Sequence, residues 1–467
     1  MNLEQRLASI HPHPRQIAWQ ETEFYAFVHF TVNTFTDKEW GDGTESPEIF
    51  NPIDFDAHQW VAAIKSAGMR GLVLTCKHHD GFCLWHSKLT RHTVEYSPFK
   101  RDIVKETADA CREGGIKFGV YLSPWDRNSL LYGSGKPYDD YFCGQLEELL
   151  TNYGEVFSVW FDGACGEGPN GKKQYYDWER YYSVIRRLQP NACISVCGPD
   201  VRWCGNEAGY TRPSEWSVVP LRTKDTEKVA SLSQHEDSDE FRQRKIFAWD
   251  QDLGSRELLE NEPDLIWYPA ETNTSIRPGW FYHEYEDDKV RSLDDLMNVY
   301  YNSVGGNTAF LLNIPPARNG LFHPNDVARL KEIGDTLRKA FAVNLADSAS
   351  LSALSEAEGY EAENLRKDSY EACWMPKTKQ DAGLTFEWSE PKKVGNIVIK
   401  ENIPTGQRVE EFVIETRCGG EYKEAFRGTV IGHKRIVRLN EPADGIRIRF
   451  TQSRCEPMIS FIGIYEG

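Results

Sequence analysis

Two apolar runs of this chain end in polar residues that could act on a substrate. The run 156–161 (Val-Phe-Ser-Val-Trp-Phe) is typical of a buried strand, and Asp162-Gly163 follows it directly. A carboxylate at the C-terminal end of a barrel strand is well placed to act as a nucleophile, and a glycine beside it lets a ligand approach closely. The run 71–76 leads in the same way into Lys77-His78-His79-Asp80-Gly81-Phe82. We therefore expect both strand ends to line one pocket.

Other strand-like runs also carry polar side chains. His29 interrupts the apolar run 24–32, and Tyr121 lies near the end of the run 116–122. A single buried histidine is usually a satisfied core residue, but several polar groups at successive strand ends indicate a site. A metal site is the alternative, since four of these side chains are capable ligands: His29, His78, His79 and Asp80. Helical HExxH spacing is absent and adjacent histidines on a strand point to opposite faces, so we expect no catalytic metal.

If Asp162 is a nucleophile, an enzyme acting on a glycoside needs a second carboxyl group as proton donor, about 5 Å away in a retaining mechanism. Glu207 lies in a loop after the strand-like run 192–196, and Glu271 follows Trp267-Tyr268-Pro269-Ala270. Spacing along the chain leaves both candidates open.

The elements that position these residues alternate between strands and helices from about residue 24 to 340. The predicted strands are 24–32, 71–76, 116–122, 156–161, 192–196 and 308–314, with short candidates at 245–249 and 265–268. The predicted helices are 56–67, 102–112, 140–153, 178–188, 293–303 and 325–341. This alternation predicts a (β/α)8-like, TIM-type barrel in a catalytic domain spanning residues 1–341.

The chain beyond residue 342 has a different pattern. Short segments with period-two alternation, at 395–399, 411–415, 435–439 and 445–450, predict a C-terminal antiparallel β-sandwich over residues 342–467. Trp374, Trp388 and Tyr422 could line a sugar site there, although such aromatic residues more often belong to a core.

Composition excludes several partners. The 467 residues carry a formal net charge of -17, which argues against nucleic acid and anionic membranes. No apolar stretch of about 18 residues is present to span a bilayer. The first residues lack the apolar core of a secretion signal, so the protein is expected to be intracellular or to have lost a leader. The 11 cysteines, without a CxxC pair, predict buried free thiols. Oligomeric state leaves no trace in the sequence.

The two polar motifs resemble those of a known enzyme family. Lys77-His78-His79-Asp80-Gly81-Phe82 together with Trp160-Phe161-Asp162-Gly163 is similar to the α-L-fucosidases of glycoside hydrolase family 29, and the resemblance spans about residues 10–341. The stretches 198–207 (GPDVRWCGNE) and 275–282 (SIRPGWFY) resemble the subgroup that prefers α-1,3- and α-1,4-linked fucose.

The resemblance implies a retaining hydrolase without a cofactor. It assigns the nucleophile to Asp162, through a covalent fucosyl-enzyme, and the acid/base role to Glu207 rather than Glu271. A proton donor must stay protonated near neutral pH, so we expect Glu207 in dry surroundings or near negative charge. The implied fucose pocket contains His29, Trp40, His78, His79, Tyr121 and Trp280, with Trp125 as a further candidate.

The expected substrates are fucosylated oligosaccharides or glycoconjugates of the Lewis or milk type. Trp280 is expected against the C6 methyl group, and histidine and tyrosine suit the neutral hydroxyls. The irregular segment 214–244 is long enough to form a wall for the acceptor sugar. Two alternatives stay open at this point: a broad-specificity fucosidase of the same family, and a fucose-binding protein that does not hydrolyse its ligand.

Overall fold

The computed structural model describes residues 2–226, 228–229 and 250–467. Its first unit contains the strands β1 Phe24–Val28, β2 Gly71–Lys77, β3 Lys117–Leu122, β4 Ser158–Phe161, β5 Cys193–Val196, β6 Arg202–Trp203, β7 Val218–Pro220, β8 Leu265–Trp267, β9 Ala270–Ser275 and β10 Thr308–Asn313. Its helices are α1 Leu3–Ala8, α2 Pro14–Gln20, α3 Val32–Thr36, α4 Ala57–Ser66, α5 Ile103–Gly114, α6 Lys136–Asn152, α7 Trp178–Leu188, α8 Arg256–Leu259, α9 Leu293–Ser303 and α10 Pro324–Ala340.

Eight of these strands form a parallel barrel, which confirms the predicted TIM-type architecture. The order around it is β1-β2-β3-β4-β5-β6-β9-β10, and β10 pairs with β1 again. The pairing between β5 and β6 is the shortest in the barrel. It consists of the bridge between Ser195 and Val201 and the hydrogen bond from Val196 N–H to Val201 O at 3.0 Å. The barrel is therefore nearly closed, and this short pairing lies next to the loop that carries Glu207.

Local sequence explains where most elements begin and end. The apolar strands β1 to β5 are buried on both faces, between the barrel interior and the surrounding helices. Asp56 and Asp102 cap α4 and α5 by accepting backbone N–H groups, and Gly115 ends α5 in the left-handed conformation. The predicted strand 24–32 is shorter than expected, because Thr31 caps the short helix α3.

The two short strands predicted after β5 are not found in the barrel of the described structure. The segment 265–268 forms β8, but β8 pairs antiparallel with β7 outside the barrel. The predicted strand 245–249 lies outside the described residues. The sixth and seventh barrel positions belong instead to β6 and β9, which hydrophobic patterning misses because β6 has two residues and β9 is the polar run Ala-Glu-Thr-Asn-Thr-Ser.

The second unit is the predicted antiparallel β-sandwich. Its strands are β11 Ser350–Ala353, β12 Gly383–Glu401, β13 Val409–Arg417, β14 Lys423–Gly428, β15 Arg435–Ser453 and β16 Ile459–Tyr465. The segments predicted at 435–439 and 445–450 both belong to β15, which pairs with β12 across two register shifts. Trp374 and Trp388 are buried in its core and donate their indole N–H groups to backbone carbonyls, so they offer no face to a sugar.

Buried charges connect the two units. Glu23 contacts His433 at 2.9 Å and Lys434 at 2.5 Å, and all three side chains are largely withdrawn from solvent. None of the 11 cysteines, all within the described ranges, forms a disulfide. In the described part of the chain, no helix combines the length and apolarity needed to cross a bilayer.

Candidate active site

A cavity of about 530 Å³ opens at the ends of the barrel strands. It gathers three carboxylates, three histidines and an aromatic wall. The lining residues are Phe27, His29, Glu39, Trp40, His78, His79, Trp160, Asp162, Gly163, Ala164, Val196, Trp203, Gly205, Asn206, Glu207, Asn273 and Trp280. The structure therefore brings Asp162, Glu207 and most of the predicted pocket residues into one cavity.

Asp162 follows β4 directly and is held by two hydrogen-bond donors. Its Oδ2 accepts from the Tyr121 hydroxyl at 2.9 Å, and its Oδ1 accepts from Ala164 N–H at 2.7 Å. Burial and the neighbouring carboxylate raise the pKa of Tyr121, so the phenol keeps its proton and remains a donor. These bonds fix the orientation of the Asp162 carboxylate.

Glu207 lies at the mouth of the same cavity, in the loop after β6. Part of its side chain is open to solvent, and its Oε2 accepts the indole N–H of Trp280 at 3.0 Å. Desolvation by the cavity walls raises the pKa of Glu207; the Trp280 bond opposes this rise, whereas the charges of Asp162 and Glu39 add to it. The expected dry surroundings are not observed, since Glu207 is exposed at the cavity mouth, but the expected neighbouring negative charge is present.

Two histidines present hydrogen-bond acceptors to the cavity. Ser123 Oγ donates to Trp125 O at 2.7 Å, so it must accept from His79 Nδ1–H, also at 2.7 Å. Burial lowers the pKa of His79 to about 4 against the opposing charge of Asp162, so the ring is neutral at pH 7. Its Nε2 then carries a lone pair, 3.8 Å from Asp162 Oδ2.

The hydrogen-bond partner of His29 likewise places its proton on Nδ1. Asn313 donates to the carbonyl of Trp280 at 2.8 Å, so its Oδ1 faces His29 Nδ1, also at 2.8 Å, and accepts that proton. Burial lowers the pKa of His29 to about 4. The neutral ring therefore leaves Nε2 as an acceptor for a ligand hydroxyl.

The expectation that His78 and His79 point to opposite faces is wrong. Their ring centroids are only 4.0 Å apart, because β2 ends at Lys77 and both histidines lie in the turn after it. Strand alternation stops where the strand stops. The residues on either side of the two histidines contact other parts of the protein. Lys77 Nζ lies 3.0 Å from Asp126 Oδ2, and Asp80 accepts a hydrogen bond from the Thr31 hydroxyl.

One group within the described residues could hold a cation. Ligand atoms of His78, His79 and Asp162 lie within 4.8 Å of one another. His78 Nδ1 is buried without a hydrogen-bond partner, so this set is available to a metal or to a polar ligand. The same three side chains line the cavity, and a sugar bound there would occupy the same space.

The remaining predicted residues take different positions. Trp40 is 49% exposed and packs edge-on against His79, with ring centroids 5.5 Å apart. Tyr121 is fully buried behind the cavity, where it donates to Asp162 and stacks on His78 with ring centroids 5.7 Å apart. Trp125 packs against both Trp40 and His79 but does not line the cavity.

Glu271 is part of the barrel interior. It lies in β9, fully buried, and accepts hydrogen bonds from Trp160 Nε1 at 2.7 Å and from the Tyr25 hydroxyl. Burial raises the pKa of Glu271 to about 7. Glu271 does not line the cavity, so of the two candidate proton donors only Glu207 does.

Sequence reasoning missed several residues of the site. Glu39 stands next to the predicted Trp40 in the sequence, and Trp203 lies within the stretch 198–207. Asn273 accepts from Trp203 Nε1 at 2.9 Å, but it belongs to the polar strand β9, for which no apolar pattern gave a signal. Asn313, at the end of β10, orients His29 from outside the lining.

A parallel barrel with carboxylates and an aromatic wall in one cavity at its strand ends is typical of glycoside hydrolases. The sequence model of the α-L-fucosidase family matches residues 9–340, and the chain belongs to this family. Alpha-L-fucosidase 1 of Arabidopsis thaliana is 37% identical over 470 residues, which cover 97% of this chain and 87% of that protein.

Solved structures agree with this assignment. A glycoside hydrolase 29 family member from an unknown rumen bacterium is 38% identical, with a TM-score of 0.79, and the match covers 98% of this chain and 77% of that one. A Ruminococcus gnavus family 29 fucosidase in complex with fucose is 29% identical, with a TM-score of 0.84, over 98% of this chain and 95% of that one. The enzyme described here is a glycoside hydrolase of the fucosidase type.

Proposed function

We propose that this protein is a retaining exo-α-L-fucosidase that removes α-1,3- or α-1,4-linked fucose from Lewis-type or milk-type glycans. The observation that carries the proposal is the shared cavity of Asp162 and Glu207, two carboxyl groups with different hydrogen-bond partners. Asp162 is held by two donors, whereas desolvation and neighbouring negative charge raise the pKa of Glu207. Such a division separates a nucleophile from a proton donor.

In the first step, Asp162 attacks the anomeric carbon of fucose as the glycosidic C–O bond breaks. Glu207 gives its proton to the departing oxygen, and an ester bond joins fucose to Asp162 with inverted configuration. Since Oε2 of Glu207 accepts the Trp280 N–H, Oε1 is the atom free to carry this proton.

In the second step, the ionised Glu207 takes a proton from water. The water oxygen attacks the same carbon, the ester bond to Asp162 breaks, and fucose leaves with its original configuration. Both steps use only protons and electron pairs already in the site, so the mechanism requires no cofactor.

Fucose recognition follows from the acceptors in the cavity. A relative binds fucose in its crystal structure, and we assign the corresponding pocket here to His29, His78 and His79, with Tyr121 acting through Asp162. Nε2 of His29 and of His79 would each accept a sugar hydroxyl. The indole of Trp280, beside His29 at a centroid distance of 5.1 Å, supplies an apolar wall for the C6 methyl group.

The linkage preference rests on the two subgroup-like stretches. The residues Glu207 and Trp280 belong one to each stretch, and their hydrogen bond joins the stretches at the cavity mouth, where the acceptor sugar would lie. The proposed acceptor wall 214–244 lies partly outside the described residues. We further propose residues 1–341 as the catalytic domain and 342–467 as a supporting one.

The test compares fucose release from a Lewis-type trisaccharide and from 2'-fucosyllactose. Release from the trisaccharide alone would support the linkage preference, and equal release from both would assign the protein to the broad-specificity group. Asp162→Ala and Glu207→Ala should both lose turnover of the trisaccharide, and unaffected variants would overturn the site assignment.

Azide identifies the role of each carboxyl group. With an activated aryl fucoside, azide should rescue Asp162→Ala by direct displacement and give β-fucosyl azide. In Glu207→Ala, azide should intercept the covalent intermediate and give α-fucosyl azide. The opposite pairing of products would reverse the two assignments.

A further inference from the structure

His283 lies between two carboxylates, one of which, Glu39, lines the active-site cavity. Its Nδ1 is 2.7 Å from Asp37 Oδ1, its Nε2 is 2.8 Å from Glu39 Oε1, and its side chain is only 3% exposed. Ionised carboxylates accept hydrogen bonds and cannot donate them. Both ring nitrogens must therefore carry a proton, and His283 is an imidazolium cation.

The same cluster holds the segment that carries Trp280. Glu39 Oε2 accepts from Trp280 N–H at 2.9 Å, and Glu39 Oε1 accepts from Phe281 N–H at 3.1 Å. The packing is close, since a Cβ atom added to Gly279 would lie 2.6 Å from Glu39 Oε1 and 3.0 Å from His283 Cδ2. His283 thus neutralises the carboxylate that fixes the Trp280 backbone.

We propose that His283 is a positioning residue, whose positive charge ties Asp37 and Glu39 to the Trp280 segment and so sets the place of the Trp280 indole in the active site. The proposal rests on the proposed function, because Trp280 lines the fucose pocket and binds Glu207. It adds a residue that has no contact with the cavity itself.

The groups facing His283 favour its cationic form. Asp37 and Glu39 face it from the loop after α3, Glu286 adds negative charge from its own segment, and the Tyr285 ring stacks on it with centroids 5.1 Å apart. Burial lowers the pKa of His283, but the two hydrogen bonds and the neighbouring carboxylates outweigh burial and raise it above the usual value.

The sign of the pH effect follows from this arrangement. The hydrogen bonds from His283 to Asp37 and Glu39 are both present below the pKa of His283, and one is lost as the pH rises through that pKa. A neutral ring would turn one lone pair toward a carboxylate oxygen, and that contact would become repulsive. Asp37 or Glu39 would then move away, and the Trp280 segment would lose a fixed partner.

Asp37→Asn is the decisive variant, because Asp37 has a left-handed backbone (φ 59) that asparagine also adopts readily. It removes one negative charge beside His283 and should lower the pKa of His283 by about one unit. NMR of protein labelled at histidine carbons measures that pKa directly, without any substrate. The matched control is Asp335→Asn, at an exposed ion pair on α10, which should leave the His283 pKa unchanged.

The kinetic readout is the pH profile of kcat/KM for an aryl fucoside with a good leaving group, whose first step needs little proton donation from Glu207. In Asp37→Asn, the fall of kcat/KM at high pH should begin at a lower pH, shifted by as much as the pKa of His283. The value of kcat/KM at low pH should stay unchanged. His283→Gln should lower the whole profile, and adding Asp37→Asn to it should cause no further shift.

Three results would overturn the proposal. They are an unshifted His283 pKa in Asp37→Asn, a loss of activity in Asp37→Asn that is equal at every pH, and a further shift of the profile when Asp37→Asn is added to His283→Gln. A wild-type protein that releases no fucose would instead refute the proposed function, and the NMR comparison would still decide whether His283 is a cation held by Asp37.

Discussion

Trp280 donates its indole N–H to Glu207 Oε2 over 3.0 Å while its backbone N–H is held by Glu39 over 2.9 Å. One residue therefore links the proposed proton donor to the loop that carries Trp40. Because the hydrogen bond stabilises the charged form of Glu207, Trp280 also limits how far burial raises the pKa of that carboxyl.

Replacing Trp280 with Phe keeps an aromatic wall and removes the N–H. The pKa of Glu207 should rise further, so Glu207 stays protonated to higher pH and the alkaline limb of kcat/KM for the trisaccharide moves up by about one unit. Trp40→Phe is the control, since Trp40 packs on His79 and should alter KM without moving the limb. A downward shift in Trp280→Phe would contradict the assignment.

Glu207→Gln should separate substrates by leaving group. The trisaccharide needs proton donation, so its kcat/KM should fall by about 10²- to 10⁴-fold, whereas an activated aryl fucoside should lose far less in its first step. Glu271→Gln provides the comparison, because buried Glu271 supports Trp160 and should affect both substrates alike. Equal losses for the two substrates in Glu207→Gln would argue against an acid role.

Ser123→Ala tests the tautomer of His79. Without the Ser123 acceptor, the proton is free to move from Nδ1 to Nε2, and the ring no longer accepts a sugar hydroxyl. The loss of about 1.4 kcal/mol corresponds to a roughly tenfold higher KM. Ser183→Ala, on the exposed face of α7, should leave KM unchanged. An unchanged KM in Ser123→Ala would remove His79 from the set of hydroxyl acceptors.

Metal chelation should not reduce activity, whereas Zn²⁺ should inhibit. Burial lowers the pKa of His78 and His79, so both rings are unprotonated at neutral pH and lie beside Asp162 as potential ligands. Zn²⁺ would compete with fucose, raise the apparent KM and be reversed by EDTA. Activity that is lost with EDTA and restored by a divalent cation would instead establish a catalytic metal.

The Lys77–Asp126 pair predicts a stability effect near the site. The two side chains are 0% and 1% exposed, and their atoms lie 3.0 Å apart. Lys77→Met leaves Asp126 buried without its cation, which should cost about 3–5 kcal/mol and lower the thermal midpoint. Lys331→Met, at the exposed pair with Asp335, should change stability by less than about 1 kcal/mol. Equal thermal unfolding midpoints for Lys77→Met and Lys331→Met would contradict this prediction.

The sequence by itself determined the barrel, the sandwich and the candidate nucleophile. Strands β2 to β5 were predictable because apolar runs buried on both faces leave a continuous local signal, and α7 and α9 match their predicted bounds. Asp162 was predictable because it follows β4 without an intervening residue. These features depend on neighbours along the chain, and one sequence contains those neighbours.

The tertiary structure decided which polar groups meet and in which state. The turn after β2 brings His78 and His79 together, β9 buries Glu271 away from the cavity, and Trp280 reaches Glu207 from 73 positions along the chain. A polar strand such as β9 has no hydrophobic period, and the proton positions on the histidines follow from partners on other strands. Such choices depend on closure of the barrel, because only closure sets the burial and the charges around each group.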